Sequence, residues 1–115
     1  MALTVNTREN GDVAVVEIAG RLTMGEGCKT LNQELEGLVS GGSNSLLLDF
    51  SRTAVMDSQG IEVLVRHYTT LGQRGGQLKL LNPSPRVHEV LKIAGLLEYF
   101  PAFEDEAQAV QSFSR

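Results

Sequence analysis

Short apolar runs alternate with helical stripes along the chain. At the start, two β-rich runs, Leu3 to Arg8 and Val13 to Ile18, flank the segment Glu9-Asn10-Gly11-Asp12. An Asn-Gly pair is a strong signal for the tight turn of a β-hairpin, because both residues tolerate positive φ angles. We therefore predict that the chain opens with two antiparallel strands.

Three longer stretches place apolar residues at intervals of three and four, which is the spacing along one face of a helix. The stripes consist of Cys28, Leu31, Leu35, Leu38 and Val39; of Ile61, Leu64, Val65, Tyr68 and Leu71; and of Val87, Val90, Leu91 and Ala94. A fourth helix is predicted from Glu104 onward, because an acidic start suits the positive end of a helix dipole. Its inward residues are expected to be Ala107, Val110 and Phe113.

Three further apolar runs have the length of strands. Leu46 to Phe50 is almost unbroken, which is typical of a central strand covered on both faces. Leu78 to Leu81 and Leu97 to Phe100 predict two more strands. The resulting order, ββαβαβαβα, indicates an α/β fold in which helices pack against a mixed, mostly parallel sheet. We expect residues 1–115 to form a single domain.

Composition argues against several classes of function. Ten Lys and Arg against fourteen Asp and Glu give a net charge of −4, so direct binding to nucleic acid, which needs a basic excess, is not expected. Cys28 has no second cysteine for a disulfide, and one Cys with two His cannot form a four-ligand zinc site. No apolar run approaches the roughly 20 residues of a membrane span. We expect a soluble, cytoplasmic protein without a metal or cofactor.

Sites in sheets of this kind form on the loops that follow the strands. The candidate loops are Arg21 to Gly27, Ser51 to Gly60 and Asn82 to Pro85. The second contains Asp57-Ser58-Gln59-Gly60, where the central strand meets the second helix. One interpretation is helix capping, since Asp and Ser are favoured N-cap residues. The other is an exposed hydroxyl that a kinase modifies, which would add roughly −1.5 to −2 charge beside neighbouring carboxylates.

A catalytic role for Ser58 finds little support. The Gly-x-Ser-x-Gly pattern of a hydrolase nucleophile is missing around it. A triad would also need a positioned histidine, yet His67 and His88 stand off the apolar stripes, where we expect solvated side chains. We therefore do not expect an enzyme.

Three other candidates have structural interpretations. Gly25-Glu26-Gly27 lacks the Lys-Ser/Thr ending of a phosphate-binding P-loop. Cys28 lies on an apolar stripe and is expected to be a small core residue. Asp49, within an apolar run, is expected to be a hydrogen-bonded carboxylate at a strand end.

Two motifs mark the ends of neighbouring strands: Gly20-Arg21-Leu22-Thr23 closes the second strand, and Met56-Asp57-Ser58-Gln59-Gly60-Ile61 opens the second helix. Gly75-Gly76 precedes the fourth strand and Asn82-Pro83 follows it. With these motifs and the element order, the chain from Leu3 to Phe113 resembles the STAS domain family of bacterial anti-sigma factor antagonists.

The resemblance implies that Ser58 is the phosphoacceptor of a cognate anti-sigma factor that is also a serine kinase, and that a metal-dependent serine phosphatase removes the phosphate. It further implies that the unphosphorylated protein binds the anti-sigma factor and so frees a sigma factor, whereas phosphorylation breaks the complex. We expect the partner-binding residues to surround Ser58 and to be Thr23, Met24, Asp57, Gln59, Gly60, Ile61 and Glu62.

Two departures from the family pattern affect these expectations. Gln59 stands where the family often has a second hydroxyl, which leaves Ser58 as the only hydroxyl of the four-residue motif. Thr23 stands two residues after Arg21, where many members carry Asp, so the identity of the partner stays open. The alternative function is that of a STAS subunit in a larger stress-signalling or lipid-transport assembly.

Overall fold

A computed structural model describes residues 2–113, so Met1, Ser114 and Arg115, the ends of the expected single domain, lie outside the described residues. The predicted element order is confirmed, with an added 3₁₀ turn. The elements are β1 (Thr4–Asn10), β2 (Val13–Leu22), α1 (Glu26–Ser40), β3 (Ser45–Met56), α2 (Ser58–Gln73), β4 (Gln77–Leu81), α3 (Pro85–Ile93), the 3₁₀ turn (Leu97–Tyr99), β5 (Ala102–Phe103) and α4 (Glu106–Ser112). No helix within residues 2–113 has both the length and the apolarity that crossing a membrane requires.

The five strands form one sheet in the order β1-β2-β3-β4-β5. β1 and β2 are antiparallel, and the remaining neighbours are parallel, which confirms the mixed, mostly parallel sheet. In the hairpin Asn10 pairs with Val13, and Gly11 supplies a positive φ of 63° at the turn. The predicted hairpin is confirmed, with β1 ending two residues and β2 four residues beyond the apolar runs.

Helices cover both faces of the sheet. Since successive residues of a strand point to opposite faces, Leu48 and Leu47 face opposite sides of β3. Leu48 belongs to the core cluster that includes α1, α2 and α3, whereas Leu47 packs with Ala109 of α4 in a second cluster. Both leucines are fully buried, as the unbroken apolar run predicted.

β3 is longer than predicted, and it replaces most of the second candidate loop. Ser51 to Met56, expected to be loop, continue the strand beside β2, where Met56 pairs with Leu22. Two shifts in the β2–β3 register let the pairing continue, and the Thr53 hydroxyl donates a hydrogen bond to the Ile18 carbonyl at 2.8 Å. The link between β3 and α2 is therefore Asp57 alone.

The predicted strand from Leu97 to Phe100 is wrong. This segment forms the 3₁₀ turn, and the short strand β5 begins two residues later, at Ala102. The reason is that the Phe100 ring turns into the core, where it is 2% exposed and meets the Tyr68 ring edge-on with the centroids 4.9 Å apart.

The last helix starts later than predicted. α4 begins at Glu106 rather than Glu104, because the Asp105 carboxylate caps it by accepting a hydrogen bond from the Gln108 amide at 3.0 Å. This start changes which residues face the sheet: Ala109 is buried, Val110 and Phe113 are half-buried as predicted, and Ala107 is exposed against the prediction.

Candidate functional site

The carboxyl ends of β2 and β3 lie side by side and bring two chain segments together. Leu22 pairs with Met56 at the end of the two parallel strands. Just beyond this pair, the Asp57 amide donates a hydrogen bond to the Leu22 carbonyl at 3.2 Å. The loop after β2 and the start of α2 therefore share one edge of the sheet.

Asp57 is the N-cap of α2 and also contacts the neighbouring loop. Its Oδ1 accepts hydrogen bonds from the amides of Gln59 (3.0 Å) and Gly60 (3.1 Å), which would otherwise lack partners in the first turn. Its Oδ2 accepts a hydrogen bond from the Met24 amide at 2.9 Å. Partial desolvation acts to raise the pKa of Asp57, but these backbone donors outweigh it, so the pKa lies below its ordinary value. Asp57 is therefore a carboxylate at neutral pH.

Ser58 is the first residue of α2 and is exposed. The capping interpretation is correct for Asp57, which supplies the oxygen that holds the first turn. Within residues 2–113 the Ser58 hydroxyl is thus left without a structural hydrogen bond. Because the residue is exposed, another protein can reach this hydroxyl.

Gly60 allows the start of α2 to lie directly on the two strand ends. It is buried, and a Cβ atom added there would lie 2.9 Å from Cγ of Met56 and 3.0 Å from the Leu22 carbonyl oxygen. Real Cβ atoms essentially never show the first distance, and the second is tighter than nine in ten real Cβ contacts. A side chain at this position would therefore force Met56 or Leu22 to shift.

The structure brings the residues expected around Ser58 together at one edge of the sheet, and we call them the Ser58 site: Thr23, Met24 and residues 57–62. Met24 is 73% exposed, so its apolar side chain is available to a partner. Gln59 and Glu62 are also exposed, and Glu62 lies one helical turn after Ser58. Ile61 is half-buried against the core. The site is therefore a mixed apolar and acidic surface around the exposed Ser58 hydroxyl.

The prediction for His67 is wrong. His67 is only 3% exposed, and its Nε2 lies 2.8 Å from Oδ1 of Asn32 on α1. Burial and the nearby Arg66 guanidinium lower the pKa of His67, so the imidazole is neutral at pH 7. Periodicity missed this position because the polar partner comes from another helix. His88 is exposed, as expected.

The buried face of α2 is correspondingly rotated from the predicted stripe. Val63 and His67 are buried, whereas Val65 and Tyr68, both placed on the stripe, are more than one-third exposed. The buried face differs from the predicted stripe because α2 packs on two neighbours. It contacts the core beside the sheet, and His67 contacts Asn32 of α1.

Cys28, Asp49 and Ser84 have structural roles in the fold. Cys28 is 8% exposed, and burial raises the pKa of its thiol, so the prediction of a core residue is confirmed. The Asp49 carboxylate accepts a hydrogen bond from the Ser51 amide at 3.0 Å, as predicted, but it lies within β3 and not at its end. In the third candidate loop Ser84 caps α3 and donates a hydrogen bond to the Thr53 carbonyl at 2.7 Å. These residues hold the scaffold together.

Within residues 2–113, no three His, Cys, Asp or Glu side chains lie together in an arrangement that could hold a metal ion. A polar cavity of about 430 Å³ opens on the sheet face between β1, β2 and β3, with Glu17, Asp49 and Arg52 in its lining. Ser58 is not among the residues that line it. The Ser58 site is therefore separate from this cavity.

The fold agrees with the comparison to known families. The model of the STAS domain family matches residues 4–109, and the chain belongs to this family. The resemblance seen in the sequence is thereby confirmed.

Two relatives of the chain are named as anti-sigma factor antagonists. The anti-sigma F factor antagonist of Paenibacillus polymyxa is 24% identical over 110 residues, which cover 96% of this chain and 94% of that protein. The anti-sigma-B factor antagonist of Bacillus subtilis is 30% identical over 96 residues, which cover 84% of this chain and 86% of that protein.

Solved structures share the fold over nearly the whole chain. An anti-sigma factor antagonist from Mycobacterium paratuberculosis superposes with a TM-score of 0.87 at 21% identity, covering 98% of this chain and 95% of that one. The Bacillus cell fate determinant SpoIIAA in its phosphorylated form superposes with a TM-score of 0.74 at 21% identity, covering 95% of this chain and 98% of that one.

Proposed function

We propose that this protein is an anti-sigma factor antagonist, which binds an anti-sigma factor through the Ser58 site and thereby releases a sigma factor. The observation that carries the proposal is the exposed Ser58 hydroxyl, free of any capping role, on a surface that also presents Met24. The names of the relatives in the STAS family supply the class of partner.

The same geometry supports control by phosphorylation of Ser58. In the proposed cycle the anti-sigma factor acts as a serine kinase and transfers a phosphoryl group from ATP to Ser58 Oγ, and a serine phosphatase removes it. The phosphate would stand at the N-terminus of α2, where the helix dipole tolerates negative charge. The fold would therefore survive modification.

A partner surface fitted to the bare hydroxyl would not tolerate the phosphate. Phosphorylation adds roughly −1.5 to −2 charge and three oxygens, and buried polar groups that lose their partners weaken a complex strongly. The modified protein would dissociate from the anti-sigma factor while remaining folded.

Binding measurements with charge variants test the proposal. Wild type, Ser58→Ala and Ser58→Asp are titrated by calorimetry against each anti-sigma factor encoded in the same genome. We expect Ser58→Ala to bind one of them as tightly as wild type and Ser58→Asp to bind at least about tenfold more weakly, a difference of about 1.4 kcal/mol. Thermal unfolding of each variant checks that the fold is retained.

Gln111→Glu is the matched control, because it adds one negative charge to the exposed surface of α4, on the opposite face of the sheet. It should bind like wild type. If Ser58→Asp binds as tightly as wild type, or if Gln111→Glu weakens binding equally, the Ser58 site is not the contact surface. If the native protein elutes only in a large permanent assembly, the alternative of a scaffold subunit is favoured.

A further inference from the structure

We propose that Asp57 is a positioning residue that fixes Met24 beside Ser58, so that the partner recognises the thioether side chain and the bare hydroxyl as one surface. This inference rests on the proposed function and adds to it a specificity element in the loop after β2. The partner would carry an apolar pocket for an unbranched side chain next to a polar group that contacts a serine hydroxyl.

The two carboxylate oxygens of Asp57 have separate tasks. Oδ1 accepts both hydrogen bonds from the first turn of α2, from the amides of Gln59 and Gly60. Oδ2 is turned to the other segment and accepts the Met24 amide at 2.9 Å. Capping alone would need only the first oxygen, since Ser, Thr and Asn cap helices about as well as Asp. The second oxygen therefore links the helix start to the loop.

Backbone hydrogen bonds on either side of Met24 also hold this loop in place. The Asp57 amide donates a hydrogen bond to the Leu22 carbonyl at 3.2 Å, two residues before Met24. After Met24, the Gly25 carbonyl accepts a hydrogen bond from the Lys29 amide at 3.0 Å in the first turn of α1. Met24 is thus held at its amide by Asp57, between a strand end and a helix start that are both fixed.

The Met24 side chain contributes little to the core at 73% exposure. Methionine is a flexible, polarizable side chain that adapts to apolar partner surfaces. A flexible side chain binds more strongly when its backbone is already ordered, because less conformational freedom is lost on association. Holding the Met24 amide against Asp57 gives the loop this order before the partner arrives.

Asp57→Asn separates the two tasks of the carboxylate. The asparagine oxygen can still cap α2, but its amide nitrogen is a donor and cannot accept the Met24 N–H. Asp57→Ser is a second variant that keeps a capping oxygen and removes the other acceptor. The matched control is Asp105→Asn, because Asp105 caps α4 through the Gln108 amide on the opposite face of the sheet.

Amide hydrogen exchange of the free protein measures how well the hydrogen bond to Asp57 protects the Met24 amide. In Asp57→Asn we expect the Met24 amide to exchange at least about tenfold faster, with the amides of Gln59 and Gly60 still protected and the fold intact. If the Met24 amide exchanges at the wild-type rate in both Asp57→Asn and Asp57→Ser, the link does not order the loop and the proposal is overturned.

Binding to the anti-sigma factor identified with wild-type protein tests the recognition role. Asp57→Asn and Met24→Ala should each weaken binding about tenfold, and the double variant should lose little more, because both changes remove the same element. Asp105→Asn should bind normally. Normal binding by Asp57→Asn, or single effects that multiply in the double variant, would overturn the inference. If wild type binds no anti-sigma factor while the exchange result holds, it is the proposed function that fails and the loop link that stands.

Discussion

Arg8 and Glu106, 98 positions apart in sequence, form a two-pronged ion pair with Nη1–Oε2 and Nη2–Oε1 distances of 2.8 and 2.6 Å. The Asn10 side-chain amide donates a third hydrogen bond to Glu106 Oε2 at 2.9 Å. The pair joins the edge strand β1 to the first turn of α4. Hydrogen bonds from Arg8 and Asn10 lower the pKa of Glu106 to about 2. This ion pair and the packing of Ala109 therefore both hold α4 against the sheet.

We predict that Glu106→Gln lowers the free energy of unfolding by about 1 kcal/mol or less at pH 7, because both partners of the pair remain partly exposed to solvent. The folded pKa of about 2 lies below the ordinary value of 4.5, so this contribution is present above pH 4.5 and is lost as the pH falls toward 2. Urea unfolding of both proteins at several pH values measures the difference. A difference that stays constant down to pH 2 would contradict this account, and Glu104→Gln, at an exposed site, is the control.

The contact between Asn32 and His67 predicts a larger effect in the core. Asn32→Ala leaves the buried Nε2 of His67 without its partner and also removes the acceptor that lies 3.1 Å from Nη1 of Arg66. We expect a loss of about 1–3 kcal/mol in unfolding free energy, the usual cost of an unsatisfied buried polar group. Gln33→Ala, at the exposed neighbouring position, should change stability by less than about 0.5 kcal/mol. Equal effects of the two variants in chemical denaturation would show that the contact is unimportant.

Two glycine substitutions should have opposite signs. Gly60→Ala forces a Cβ against Met56 and Leu22, and we expect it to cost about 1–3 kcal/mol, as overpacking does. Gly37→Ala, within α1, meets nothing within 4 Å and should stabilise the protein by about 0.5–1 kcal/mol, because Ala is the better helix former. Thermal unfolding of both variants tests this. A stable Gly60→Ala would mean that α2 can move off the strand ends at little cost.

Local signals in the sequence were sufficient for the order of the elements and for the position of Ser58. The Asn10-Gly11 turn, the apolar run at Leu46–Phe50 and the Asp57-Ser58 helix start each depend on neighbouring residues, and each appears in the structure as predicted or nearly so. The assignment of Ser58 as a phosphoacceptor stays a prediction.

Features that depend on distant residues could not be predicted. The extension of β3 from Ser51 to Met56 depends on pairing with β2 across two register shifts. The burial of His67 depends on Asn32 from another helix. The hydrogen bond between the Met24 amide and Asp57 forms because β2 and β3 end side by side. None of these contacts leaves a periodic trace in the sequence.

The proposed switch depends on a reversible phosphate on Ser58 in the cell. Mass spectrometry of the protein isolated from its own cells, with peptides mapped to residues 53–66, measures this directly. The account predicts a phosphorylated fraction with the phosphate on Ser58, absent from a Ser58→Ala strain and lost on treatment with a serine phosphatase. A phosphate on another residue, or none at Ser58 while the anti-sigma factor holds its sigma factor, would contradict it.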